Sequence, residues 1–185
     1  NNGVAAGDLR GPNDAAQDVV LCSSNPDCYL FYGSNYTANT NLTNSNAKVL
    51  FKYTGSTYFT GVSIGDVDGD TYQDVIIARE DSLGEDLQNL YSGAAFVFRG
   101  GSLANAGSTT TVDQNGSAAA YIVYGESGAG MYFGNTLTSD IDGDGFSDIM
   151  FRKYDPAADL YIVWGRSYQT LGGFLDWTDD TTLSA

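Results

Sequence analysis

An acidic nine-residue loop occurs twice in this chain, and each copy leads directly into an apolar run. Asp66-Val67-Asp68-Gly69-Asp70-Thr71-Tyr72-Gln73-Asp74 precedes Val75-Ile76-Ile77, and Asp140-Ile141-Asp142-Gly143-Asp144-Gly145-Phe146-Ser147-Asp148 precedes Ile149-Met150-Phe151. Carboxylates occupy positions 1, 3, 5 and 9 of both copies. Like charges folded that closely repel one another unless a cation lies among them. Recurrence of the motif also signals a repeat architecture, which governs how the local pattern is read.

Alignment on the two loops brings out a longer unit. A glycine-containing strand leads into each loop, at 59–65 and 132–138, and an apolar strand follows it. A third strand, rich in aromatics, ends on glycine at 95–100 and 160–165. A fourth, at 49–53 and 120–125, precedes the next unit. The N-terminal segment fits the same frame through Val4–Asp8, Asp18–Leu21 and Tyr29–Gly33. These runs are β-branched and aromatic. No segment sustains a 3.6-residue period, and Gly and Asn interrupt every candidate helix. The expectation is one all-β domain over residues 1–185, in three units of four short strands at about 3–55, 56–125 and 126–178.

The loop chemistry points to calcium at two sites. Calcium takes six to eight hard oxygen ligands in a flexible cage. Asp66, Asp68, Asp70 and Asp74, with the backbone carbonyl of Tyr72, supply one set. Asp140, Asp142, Asp144 and Asp148, with the carbonyl of Phe146, supply the other. Oxygen ligation without His or Cys disfavours zinc and copper, and magnesium demands a stricter octahedron. Gly69 and Gly143 permit a tight turn about the ion. An EF-hand requires glycine at position 6 and an acidic ligand at position 12. Here position 6 is Thr71 or Gly145, and position 12 is Ile77 or Phe151. The first unit departs from the pattern: the segment from Asp8 to Asp18 is two residues longer and carries Arg10 at a ligand position. That loop is expected to hold no metal, with the Arg10 guanidinium supplying positive charge to Asp8 or Asp18 instead.

Composition narrows the function classes. The net charge is −15, with 23 acidic residues against 8 basic ones, which argues against nucleic acid and anionic membrane surfaces. No stretch approaches a membrane span. There is no histidine, which removes the commonest general base and the Ser-His pair. Cys22 and Cys28 bracket a turn sequence, so a disulfide across a hairpin is expected, and with it an oxidising compartment. Asn35, Asn41 and Asn115 begin N-glycosylation triplets. The chain opens on Asn1 and reads as a processed, extracellular product. Glu80, Asp81, Glu85 and Asp86 form an acidic cluster that reads as a solvated surface.

The two D-x-D-G-D-x-x-x-D loops, the strands Tyr121-Ile122-Val123-Tyr124-Gly125 and Tyr161-Ile162-Val163-Trp164-Gly165, and Phe133-Gly134 together resemble the FG-GAP repeat family. That family forms the propeller blades of integrin α-chains and of bacterial calcium-binding relatives. Ala78-Arg79-Glu80 and Phe151-Arg152-Lys153 stand where its "GAP" element falls. The resemblance implies an all-β fold of three four-stranded antiparallel blades, packed as in a β-propeller, and a binding platform. Propellers have about 4–8 blades, so three units suggest completion by another subunit. A spare apolar segment, Gly173–Trp177, is a candidate for strand addition to a neighbour, or for folding back on its own last unit. The favoured expectation is a non-catalytic adhesion module or subunit of an extracellular assembly or filament, self-associating or binding an extracellular protein or glycan. The alternatives are a carbohydrate-binding module and a calcium-dependent polysaccharide-active enzyme.

Overall fold

The computed structural model describes residues 3–23, 27–37, 41–53, 59–79, 93–103, 108–112, 119–124, 133–153, 160–166 and 174–176. Among them the fold is all-β. Strands β1 (Gly3–Gly7), β2 (Asp18–Cys22), β3 (Asp27–Phe31) and β4 (Val49–Tyr53) form a first antiparallel sheet in chain order. A second begins with β5 (Phe59–Gly65), β6 (Asp74–Arg79) and β7 (Ala94–Phe98). The chain then makes a single helical turn, α1 (Gly100–Leu103), and crosses as β8 (Ser108–Val112) to pair in parallel with β4 of the first sheet. It returns as β9 (Tyr121–Tyr124), antiparallel to β7, as the fourth strand of the second sheet. The third antiparallel sheet comprises β10 (Phe133–Ser139), β11 (Asp148–Lys153) and β12 (Leu160–Val163). The last described strand, β13 (Phe174–Asp176), pairs in parallel with β9.

Burial patterns reveal how the sheets stack. Every residue of β6 and of β7 is buried, as expected for strands covered on both faces. In the first sheet, β1 and β2 instead alternate buried and more exposed positions, the pattern of strands packed on one face. The second sheet is therefore the middle layer. One core joins Val20, Leu30, Val49 and Phe51 of the first sheet to Val75, Ile77, Phe96 and Phe98 of the second. Phe51 and Phe98 meet with ring centroids 4.9 Å apart. The other core joins Ile76, Ala78, Val97 and Val123 of the second sheet to Ile149, Phe151 and Val163 of the third. Strands β1, β5 and β10, the first of each sheet, are the strands that bring the layers together.

Two features depart from expectation. Strand β8 was not anticipated, although Ser108-Thr109-Thr110-Thr111-Val112 has strand-favouring composition. And the spare segment, a candidate for addition to a neighbour or for folding back on its own last unit, does not pair with the third sheet: its Phe174–Asp176 lies along the edge of the second sheet. The spacings match, since β8 begins ten residues after β7 ends and β13 begins eleven after β12 ends. Each is a strap sent back by one unit onto the outer edge of the unit before it. The third sheet shows three antiparallel strands among the described residues.

Cys22 and Cys28 sit directly opposite each other in the β2–β3 register and form a disulfide. Both are buried in the first core. The bridge closes a short hairpin loop, which limits the freedom of the unfolded chain. Replacing both cysteines with alanine is expected to lower stability by about 2–3 kcal/mol while the strand order survives, as read by denaturant melts alongside far-ultraviolet dichroism.

Candidate metal-binding loops

Each acidic loop joins the first strand of a sheet to the second, and the two are built alike. The position-1 carboxylate folds the turn: Asp66 Oδ1 accepts from Gly69 N (2.8 Å) and Oδ2 from Thr71 N (3.0 Å). Asp140 does the same toward Gly143 N (2.7 Å) and Gly145 N (3.1 Å). Asp68 and Asp142 each accept from the N–H two residues on, and so do Asp70 and Asp144. These local bonds are the habit of Asp in turns. Positions 4 and 6 take the left-handed conformation, with φ of 74° and 74° at Gly69 and Thr71, and 81° and 94° at Gly143 and Gly145. Thr71 is thus a β-branched residue held where its counterpart is glycine, a strained arrangement.

Carboxylate oxygens of Asp66, Asp68 and Asp70 lie within 4.8 Å of one another, as do those of Asp140, Asp142 and Asp148. Oxygens bound about 2.3–2.6 Å from one hard cation are at most about 5 Å apart. Both clusters could therefore hold a metal ion. Tyr72 and Phe146, expected as carbonyl ligands, stand at equivalent loop positions, and their N–H groups donate to Asp70 and Asp144 at 2.9 Å.

The position-9 aspartates do something the sequence pattern alone did not reveal. Asp74 is fully buried; its Oδ2 accepts from Val67 N (3.2 Å) and its Oδ1 from Gly100 N (3.1 Å). Asp148 repeats this with Ile141 N (2.8 Å) and Gly165 N (2.9 Å). Asp18, also fully buried, accepts from Gly33 N at 3.0 Å. So in all three units the carboxylate at the start of the second strand ties to the glycine that ends the third. A Cβ on Gly33, Gly100 or Gly165 would lie 2.0, 2.1 or 2.5 Å from the carbonyl oxygen of the residue before that aspartate. The aromatic strands end on glycine because nothing larger fits.

The first loop carries a cationic side chain of its own. Arg10 donates to Asp18 through Nε (3.3 Å) and Nη2 (2.9 Å), pairs with Asp14, and stacks over Tyr32 at 4.6 Å. Asp8 instead turns to the neighbouring sheet: its N–H donates to Gln73 Oε1 (2.7 Å) and its carbonyl accepts from Gln73 N (3.1 Å). The second loop has a cation at its border as well. Arg99 pairs with Asp68 at 2.8 Å, whereas the third unit carries Trp164 at the corresponding position. A basic residue directly before the strand-ending glycine was the available signal.

Burial, reinforced by the charge of Asp68, pushes the Asp74 carboxyl up to about 8 and outweighs the two backbone donors. Asp68 is raised by its own burial and by Asp70, with Arg99 opposing. Of the glycosylation candidates, Asn35 and Asn41 are exposed, while Asn115 and the cluster Glu80, Asp81, Glu85 and Asp86 lie outside the described residues.

No protein-family model matches this sequence, and a search of curated proteins returns no match.

Two outcomes follow from the loop geometry. Thr71→Gly relieves the left-handed strain and is expected to stabilise the protein by about 1 kcal/mol, read as a higher melting temperature. Metal-free protein takes up a proton at Asp74 on folding between the ordinary pKa of about 4 and the folded value of about 8, so it loses stability as pH rises through that window. Melting temperatures of chelated protein should fall from pH 5 to pH 8, and Asp74→Asn should flatten the slope.

Proposed function

We propose that this chain is a secreted, calcium-stabilised repeat protein of the FG-GAP kind, acting without catalysis as an adhesion module or as a subunit of an extracellular assembly. The observation that carries the reading is the pair of acidic loops with matching hydrogen bonds, each gathering three carboxylates within reach of one ion. Hard oxygen donors without His or Cys favour calcium over zinc or copper, and the irregular cage favours it over magnesium. One ion would be held by Asp66, Asp68 and Asp70, with Asp74 and the Tyr72 carbonyl completing the set. The other would be held by Asp140, Asp142 and Asp148, with Asp144 and the Phe146 carbonyl.

The role of the ions is architectural. A bound ion offsets repulsion among carboxylates that the fold already crowds together, and it stiffens the turn from first strand to second. The same turns join the layers, since Ser147 N donates to the Asp66 carbonyl at 2.7 Å and Arg166 N to the Val67 carbonyl at 3.0 Å. Arg10 takes the ion's place in the first loop, so that loop holds none. The buried disulfide supports an oxidising compartment, and the net charge of −15 speaks against nucleic-acid partners. The absence of histidine and the commitment of the loop aspartates to structure support a non-catalytic role.

Native mass spectrometry with calorimetric titration tests the reading. Two calcium ions should bind per chain, one after Asp140→Asn with Asp142→Asn, and chelation should lower the melting temperature. A chain that binds no calcium and melts identically with and without chelator refutes it, and a third ion refutes the role given to Arg10.

A further inference from the structure

We infer that the outward face of the third sheet is a docking surface for the first sheet of a second copy of this chain, repeating the interface that already joins the first sheet to the second and the second to the third. The inference deepens the assembly reading above and rests on it.

The internal interfaces obey one rule. Register assigns each strand residue to a face: Thr136, Ile149 and Val163 of the third sheet pack back on the second, and Leu137, Met150, Ile162 and Leu160 point the other way. The equivalents of those last residues in the second sheet are Ser63, Ile76, Val97 and Ala95, all buried beneath the third sheet. On the third sheet Leu137 and Leu160 are each 61 % exposed, and Met150 and Ile162 between them are half-buried. The loop repeats the contrast. At position 2, Leu9 and Val67 are 0 % and 1 % exposed because the next sheet covers them, whereas Ile141 is 47 % exposed. At position 4, a Cβ on Gly11 would strike the Tyr72 ring and one on Gly69 the Phe146 ring, but one on Gly143 would meet nothing within 4 Å.

The complementary half of this interface is uncovered along β1 and β2 of the first sheet, while Tyr29 and Phe31 of β3 on the same face are already buried, with Asn44 bonded to the Tyr29 hydroxyl and the Tyr36 ring against Phe31. Val62, Val75 and Ile77 of the second sheet are buried against the first. Their register equivalents are Val4, Val19 and Leu21, of which Val4 is 68 % and Leu21 38 % exposed. Gln17, exposed, precedes Asp18 as Gln73 precedes Asp74 and Ser147 precedes Asp148. Gln73 N and Ser147 N each donate to the position-1 carbonyl of the preceding loop. In the docked pair Gln17 N of one copy donates to the Asp140 carbonyl of the other. The first loop has Ala16 where Tyr72 and Phe146 stand, so the intermolecular contact is less filled than the internal ones and reversible.

Such a contact is heterologous, pairing two different faces, and it closes into a ring or extends as a filament. Calcium-saturated protein is examined by sedimentation across a concentration series. Association to dimers or longer species is expected. It should be lost in Leu137→Glu with Leu160→Glu, and equally in Val4→Glu with Leu21→Glu, all at exposed positions that a folded monomer tolerates. Mixing the two variants leaves one intact pair of faces, so a one-to-one complex of twice the chain mass should return. A chain monomeric at every concentration overturns the inference, as does association that survives both variants or a mixture that stays monomeric. Calcium stoichiometry, measured on the same samples, reports separately on the metal sites.

Discussion

A buried carboxylate satisfied by backbone donors organises every unit of this protein. Asp18, Asp74 and Asp148 stand at the start of the second strand, fully buried, and each reaches the N–H of a glycine at the end of the third. A hydrogen bond contributes about 1 kcal/mol, more where the acceptor is charged, and a buried carboxyl group left without donors costs more than that. The aspartate therefore fixes where the third strand stops. Its second oxygen is filled by the loop N–H of Val67 or Ile141, or in the first unit by Arg10. Loop, second strand and third strand are thus held at one point, and the carbonyl that passes beneath each glycine leaves no room for a side chain.

The layers depend on those points. Because each acidic turn ends on a latched aspartate, the residue just before it presents its N–H to the previous loop, at Gln73 and again at Ser147. Nearest-neighbour contacts of this kind make stability a sum over units and interfaces. The middle sheet gains from two interfaces and is buried throughout its central strands; the outer sheets gain from one each. The parallel straps β8 and β13 add edge pairing between consecutive units and cover strand edges that would otherwise recruit other chains.

The strands and turns were readable because their signals are local. Alternation and β-branching marked the strands, Cys22 and Cys28 flanked a turn short enough to face each other, and the aspartate spacing marked both loops. The strap strands were not readable in the same way. Ser108–Val112 and Phe174–Asp176 are extended by composition, but their partners lie on the preceding unit, and extended character does not specify a partner. The electrostatics were only partly legible. Arg10 stood visibly within its loop, whereas Arg99 reaches Asp68 from just past the end of β7, 31 positions away in the chain.

Sequence by itself determined the repeat, its all-β character, the two acidic turns and the hairpin disulfide, since each follows from residues within one turn or strand of one another. Tertiary structure alone decided that the ninth aspartate is a latch, that Thr71 is strained into a glycine's conformation, and which faces are covered. Those properties depend on burial and on donors brought in from distant strands, and neither is set until the sheets have stacked.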